Sequence, residues 1–410
     1  MCKQPRTNAL RRACLALGAS MLLGCSGLVD AATVDISTMF RPSPGNTAYR
    51  DTTPVSGFCL EYGGCGDQLR SVVIPIQYDR TVRTGLPAVS RRWSLHTPPQ
   101  ATVTLTSDKG HSISAAFQIT HIAQVLTGQG FDKRENPASH TGTGGNCSFA
   151  GAYASGGGNT LGFIWRMADP ITPGLCYPAT SGANTEREIT VTARSMSVGY
   201  QLVLPRPQAV KMGLYHGSVT FSIGEAGDFA LGSQVSNLSD SSMTFNFTVD
   251  VQHQLNVVFS PGWESAELLP PASYGGWHQY LTGLKPAPGN ISKEQTFMIS
   301  VSGPMTVYVR CDEWEINGLC LLRNVNNQVT ARMISALTLP PALVDSNDQP
   351  LRIRHMRHDR TIEVTPKRPV VEEPGLFRMS IETMDFKTIM LKNPGYPFRG
   401  AVTLVFDAQL

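Results

Sequence analysis

Alternation with a period of two dominates the chain. Ala101-Thr102-Val103-Thr104-Leu105-Thr106 sets apolar residues between hydroxyls, the pattern of a strand with one buried face. The alternation resumes in Ser112-Ile113-Ser114-Ala115-Ala116-Phe117-Gln118-Ile119 after Asp108-Lys109-Gly110. That tripeptide is a turn signal, so the two runs are expected as a hairpin. Residues 188–193, 243–249, 255–259 and 306–309 read as further strands. No amphipathic stretch exceeds about three turns, and the best helix candidate is residues 119–126. Many short strands of this kind imply an all-β fold built from β-sandwiches.

Composition supports that reading. The 38 glycines and 28 prolines are scattered along the chain, where they suit strand reversals and disfavour helices. The length of 410 residues exceeds one ordinary domain. Residues 142–158 are Gly-rich, but Gly142-Thr143-Gly144-Gly145 lacks the third glycine and the Lys-Ser/Thr of a phosphate cradle. It is read as a loop, and so is the Pro-rich stretch 268–288.

The N-terminus changes both the charge and the cysteine count. Lys3, Arg6, Arg11 and Arg12 precede an apolar run from Ala13 to Leu28, and Val29-Asp30-Ala31 offers a cleavage site. Residues 1–31 are therefore expected to be a secretory signal peptide. Leu22-Leu23-Gly24-Cys25 also resembles a lipobox, although Leu before Gly fits it poorly. Cleavage would leave a formally neutral chain, from a full-length charge of +3. Neutrality and the lack of a basic face argue against a nucleic-acid partner. Of nine cysteines, Cys59, Cys65, Cys147, Cys176, Cys311 and Cys320 would remain. Export makes three disulfides the expected state. Six cysteines allow fifteen pairings, and sequence proximity favours Cys59–Cys65, Cys147–Cys176 and Cys311–Cys320. No Cys-x-x-Cys occurs, so metal ligation is not expected.

One internal echo divides the chain. Tyr215-His216-Gly217-Ser218-Val219-Thr220 resembles Phe398-Arg399-Gly400-Ala401-Val402-Thr403. Each runs aromatic-x-Gly-x-Val-Thr into an apolar strand, with the glycine permitting a kink on entry. Two sandwiches closing with similar strands are expected, 32–251 and 252–410.

Individual residues suggest little chemistry. Arg91-Arg92-Trp93 could stack on a sugar and clamp a carboxylate, or be a strand-edge Trp between solvated charges. Trp165 and Tyr177 flank the expected Cys147–Cys176 bond and read as core. Trp263 and Trp277, after the expected domain boundary and around the Pro-rich stretch, could pack a domain interface or stay partly exposed. Arg352, Arg354, Arg357 and Arg360 with His355 and His358 form the densest basic run, read as a solvated hairpin with residues 361–364 as its return strand. His355-x-x-His358 matches no metal motif. Ser155 lacks the first glycine of a nucleophile elbow, and no paired carboxylates stand out. An enzyme is not expected, nor a cofactor.

Several segments together resemble the minor tip subunits of alternate chaperone–usher fimbriae, the cable-pilus biogenesis initiators and colonisation-factor tip adhesins of enteric bacteria. They are Phe58-Cys59-Leu60 with Cys65 close behind, the pair Cys147 and Cys176, the strand at Gly217-Ser218-Val219-Thr220-Phe221, and the ending Gly395-Tyr396 with Gly400-Ala401-Val402-Thr403-Leu404-Val405-Phe406. The resemblance implies two Ig-like sandwiches: an N-terminal adhesin domain and a C-terminal pilin domain that lacks a strand. A neighbouring subunit's N-terminal extension would fill the gap, as strand addition to a sheet edge does. A periplasmic chaperone would cap it beforehand, an outer-membrane usher would exchange chaperone for a major pilin subunit, and the product would stand at the fimbrial tip on the cell surface. Val402, Leu404 and Phe406 would line the chaperone and subunit contact. Such adhesins bind a host glycan or protein receptor through a distal arginine cluster. Tyr49-Arg50 stands near one of those positions, while the family's later arginine pair is replaced by Gly224-Glu225-Ala226. The tight spacing of Cys311 and Cys320 also departs from the family. A secreted or lipid-anchored carbohydrate-binding sandwich with no assembly role is the alternative.

Overall fold

The alternating runs become paired strands in the computed structural model. It describes residues 32–408 except 44, 64, 67–68, 86–87, 129–142, 154–159, 180–185, 269–281, 283, 285–290, 316 and 394–396. The signal-peptide and lipobox readings, Ser155, Trp277 and Gly395-Tyr396 thus lie outside the described residues, as does most of the Pro-rich stretch.

The fold is all-β. In the first half, Ser112–Thr127 and Glu188–Val203 pair antiparallel as the longest strands. Ala101–Ser107 joins Ser112–Thr127 through the expected hairpin, and Thr160–Met167 pairs with its second half. Arg70–Ile74 and Tyr78–Arg83 flank Glu188–Val203. Facing them, Ser242–Val251 lies between Ala32–Phe40, to which it runs parallel, and Gly213–Gly224, to which it runs antiparallel. The layers meet at a corner where Tyr215 and His216 pair with Ser107 and Thr106. Phe117 anchors the core between them, 4.8 Å from Phe245 and 5.0 Å from Phe247 by ring centroids.

Residues 119–126 are strand, not helix. Ile119, Ile122, Ala123 and Leu126 have helical spacing and are all buried, for two reasons. Thr120 is an extra residue opposite the Gly199–Tyr200 step, and this bulge shifts the period. The outer face is also covered, because the short helix Phe58–Tyr62 packs Phe58 and Cys59 on Ala123 and Ile164. A bulge plus two-faced burial imitates a 3.6-residue period.

In the second half, one sheet orders Leu255–Phe259, Ser292–Val301, Val370–Ile381, Thr330–Thr338, Cys320–Asn324 and Phe398–Arg399. The other orders Leu343–Val344, Ile362–Pro366, Met305–Cys311 and Val402–Ala408. Phe297 and Phe377 from the first sheet share a core with Val307, Val309 and Val364 from the second. The first core draws on residues 32–251 and the second on residues 291–386, and both belong to one compact unit, Ala31–Leu410. His253 ties them together. Its Nε2 donates to Val210 O at 2.7 Å, and its ring sits 5.6 Å from that of Phe40. Gln254 N donates to Ser302 Oγ at 2.9 Å.

The basic run is not a hairpin. Arg354–Met356 pairs with Thr330–Thr338 in one sheet, whereas Ile362–Pro366 pairs with Met305–Cys311 in the other. Leu351 is buried and Ile353 is 62% exposed, although residues two apart in a strand share a face. The left-handed backbone at Ile353, φ 50°, reverses it. The segment crosses between sheets.

The structure joins Cys59 to Cys65, Cys147 to Cys176 and Cys311 to Cys320, with Cα–Cα distances of 5.3, 5.2 and 5.5 Å. Trp165 is fully buried in the first core, which also holds Cys147 and Cys176.

Candidate functional site

The two echo segments hold corresponding positions. Tyr215 and His216 pair with Ser107 and Thr106, and Phe398 and Arg399 pair with Asn324 and Arg323. In both cases that pairing stops at the glycine. A Cβ on Gly217 would lie 2.5 Å from Thr104 O, and one on Gly400 would lie 2.8 Å from Leu321 O. Each glycine lets the strand pass close to a neighbouring carbonyl, a space any side chain would close.

Beyond the glycines the two strands differ. Gly213–Gly224 is covered along residues 213–222 by Ser242–Val251, which sends Met243, Phe245, Phe247, Val249 and Val251 into the core. Val402–Ala408 pairs on one edge with Met305–Cys311, from Cys311–Val402 to Met305–Ala408. Among the described residues nothing pairs with its other edge. Counting from the glycines, Leu404 and Phe406 correspond to Phe221 and Ile223. The latter are 5% and 4% exposed, while Leu404 and Phe406 are only half-buried.

A second open edge lies close by. Among the described residues Leu255–Phe259 pairs only with Ser292–Val301, and it leaves Val258 55% and Phe259 37% exposed. In Ala32–Phe40 every second residue is buried. Phe297 lies beneath both edges, 6.0 Å from Phe259 and 5.3 Å from Phe406. Trp263 meets it edge-on at 5.9 Å. Phe259, Trp263, Leu404 and Phe406 thus border a half-open apolar site on a Phe297 floor. The site offers unpaired backbone groups on Val402–Ala408 and apolar surface beside them, which is what an added strand requires.

The arginine candidates do not converge. Arg50 pairs across from Met39, which is level with Asp250 and Leu214, near the linker formed by Gln252, His253 and Gln254 between the two halves. Arg91 and Arg92 precede Leu95–Thr97, whose His96 pairs with Ala230, level with Gly224. Ten strand residues, about 33 Å, separate those levels. Arg92 donates to Pro178 O at 3.2 Å and stands 5.9 Å from the Tyr177 ring centroid. Arg91 is exposed.

Trp93 cannot meet a receptor, since it is fully buried. It stacks on Tyr78 at 5.6 Å and donates through Nε1 to Gln124 Oε1 at 3.0 Å. Gln124 Nε2 donates to the Tyr78 hydroxyl at 2.8 Å. Buried Arg80 donates to Ser94 O at 2.7 Å and to Ser233 O at 3.3 Å. The Trp therefore anchors its segment in the core and leaves Arg91 and Arg92 outside.

Among the described residues no three His, Cys, Asp or Glu gather as metal ligands. His358 faces Trp314 instead, stacked at 3.8 Å, and its Nδ1 accepts from Cys311 N at 3.1 Å. Sequence reasoning passed over Phe259, Phe297 and Trp314. The acids Glu313 and Glu315 around Trp314, inside a short cysteine-bounded loop, were a readable sign that this Trp stays exposed.

No family model matches the chain, and no curated protein matches it. Solved structures similar to it include CfaE, the adhesive subunit of CFA/I fimbria of enterotoxigenic Escherichia coli. That match has 8% identity and a TM-score of 0.26, and covers 92% of each chain. A CFA/I chaperone–tip adhesin complex matches at 9% identity and a TM-score of 0.25, over 92% of this chain and 97% of that one. The CsuC–CsuE chaperone–tip adhesion subunit pre-assembly complex of archaic Csu pili from Acinetobacter baumannii matches at 9% identity and a TM-score of 0.22, over 92% and 98%.

Proposed function

We propose that this chain is a non-enzymatic fimbrial tip subunit whose second sandwich accepts a strand from the next subunit. The observation that carries the reading is internal. The first sandwich holds Ser242–Val251 against Gly213–Gly224, and the equivalent edge of Val402–Ala408 has no partner among the described residues. The first sandwich is therefore a template for the missing strand. An incoming segment would run antiparallel to Val402–Ala408 and carry large apolar residues at alternate positions, as Met243, Phe245, Phe247 and Val249 do. It would bury Leu404, Phe406 and Phe259.

On this reading a periplasmic chaperone covers the edge during export, an outer-membrane usher exchanges it for the major subunit, and the first sandwich faces a receptor at the cell surface. Exposed Arg91 and half-exposed Arg92 are the receptor candidates left beside the buried Trp93, and Arg50 would belong to a separate surface.

The test is complementation. The full chain is purified alone, with a synthetic peptide copying the next subunit's N-terminal extension, and as a fusion carrying that peptide at its C-terminus. Strand acceptance predicts a rise in melting temperature of about 10 °C or more in both complemented forms. An unchanged melting temperature in both, with glycan binding by the free monomer, would favour a carbohydrate-binding sandwich with no assembly role.

A further inference from the structure

Trp314 is half-exposed, at 50%, whereas Trp93 and Trp165 are fully buried and Trp263 packs against the second core. Its exposure is not looseness. The loop is closed by Cys311–Cys320. Leu321 N donates to Glu313 O at 2.8 Å, Glu315 N to Leu319 O at 3.1 Å and Gly318 N to Glu315 O at 2.8 Å. His358 N donates to Gly318 O at 2.9 Å, and His358 covers one face of the indole at 3.8 Å and 17°. His358 thus pre-orients the indole from one face, and half of the side chain stays exposed. Tryptophans of this kind are typical interface anchors, because little freedom remains to be lost on binding.

Register fixes where the ledge lies. Ser302 and Gly303 contact the linker at His253 and Gln254, and the strand Met305–Cys311 runs away from it. Cys311 is about 20 Å further along, level with Val402, and Asp312 N donates to Ala401 O at 3.2 Å. A strand antiparallel to Val402–Ala408 enters near Ala408 and leaves near Val402. If it is an N-terminal extension, the body that follows it emerges at the Trp314 pole.

Resting on the strand-acceptor reading above, we propose that Trp314, held by His358 and the Cys311–Cys320 loop, is the ledge on which the folded body of the strand-donating subunit docks. The ledge fixes the angle between the subunits, while the strand fixes their register.

The test uses the full chain, Trp314→Ala and Trp314→Phe, with two probes: the synthetic N-terminal extension alone, and the folded subunit bearing it. Dissociation is followed in moderate urea. All three chains are expected to hold the peptide equally. Trp314→Ala should release the folded subunit at least about ten-fold faster, with Trp314→Phe close to the unsubstituted chain. Equal release of the folded subunit by Trp314→Ala and the unsubstituted chain overturns the ledge, as does a glycan-array signal lost in Trp314→Ala without any change in subunit release. Failure of the peptide to bind the unsubstituted chain overturns strand acceptance. The ledge then stands only if the folded subunit still separates Trp314→Ala from the others, and it falls if that subunit does not bind either.

Discussion

The rings of Phe297 and Phe406 stand 5.3 Å apart, one from each sheet of the second sandwich. Phe297 is fully buried and Phe406 half-buried, so the contact marks the point where core gives way to open edge. In the free chain, Phe406→Ala is expected to cost about 1–2 kcal/mol, since only part of the ring leaves an apolar setting. With a donor peptide in place the ring becomes core, and the cost should rise to about 3 kcal/mol or more. Urea unfolding with and without peptide measures both values. Equal costs would mean that the added strand does not cover Phe406.

Trp93 and its neighbours should separate cleanly in mutagenesis. Trp93→Ala empties a fully buried site and leaves Gln124 without its donor. A loss of about 3–5 kcal/mol is expected. Arg91→Ala acts on an exposed residue and should stay within about 0.5 kcal/mol. Thermal melts of the two variants decide this. A stable Trp93→Ala protein would refute the buried network.

Mild acid should weaken the fold through two buried histidines. Burial, with Arg166 directly across the strand pair, lowers the His121 pKa from 6.5 to about 4. Burial also lowers that of His253 at the linker. A histidine kept neutral in the fold contributes stability that is fully present above its unfolded value. That stability is lost as pH falls from 6.5 toward the folded value. Between pH 6.5 and 5 the melting temperature should therefore drop, at no more than about 1.4 kcal/mol per pH unit for each histidine. His121→Gln should flatten part of the slope. A melting temperature independent of pH in that window would exclude the mechanism.

Much of the fold was legible because strand alternation is local. The hairpin around Asp108-Lys109-Gly110, the strands at Met243 and Leu255, and the parallel roles of Gly217 and Gly400 all follow from spacing within a few residues. What sequence alone could not give was coverage from the far side. The helical spacing of Ile119, Ile122, Ala123 and Leu126 arises from Thr120 as a bulge and from Phe58 packing across the sheet. The charged flanks of Trp93 suggested a surface, yet Tyr78 and Gln124, distant in sequence, draw the indole inward. The edge at Val402, Leu404 and Phe406 is an expectation of the family resemblance, and the echo adds only that its strand follows a close-passing glycine. Its floor was not legible, because Phe297 reaches it from the opposite sheet.

The Cys311–Cys320 bond closes the Trp314 loop where Cys311 pairs with Val402 of the open edge. It closes a nine-residue separation, for which chain entropy alone gives about 2–3 kcal/mol. Replacing both cysteines with serine should lower stability by about that amount, and it should also free the loop carrying Trp314. His358 would then keep its hydrogen bond from Cys311 N only if the strand end held its place. Hydrogen exchange at the Cys311 and Leu321 amides reads this directly. Faster exchange there, with no change at Val307 or Val309, is the expected pattern. Uniform acceleration along the whole strand would instead show that the disulfide holds the sheet rather than the loop.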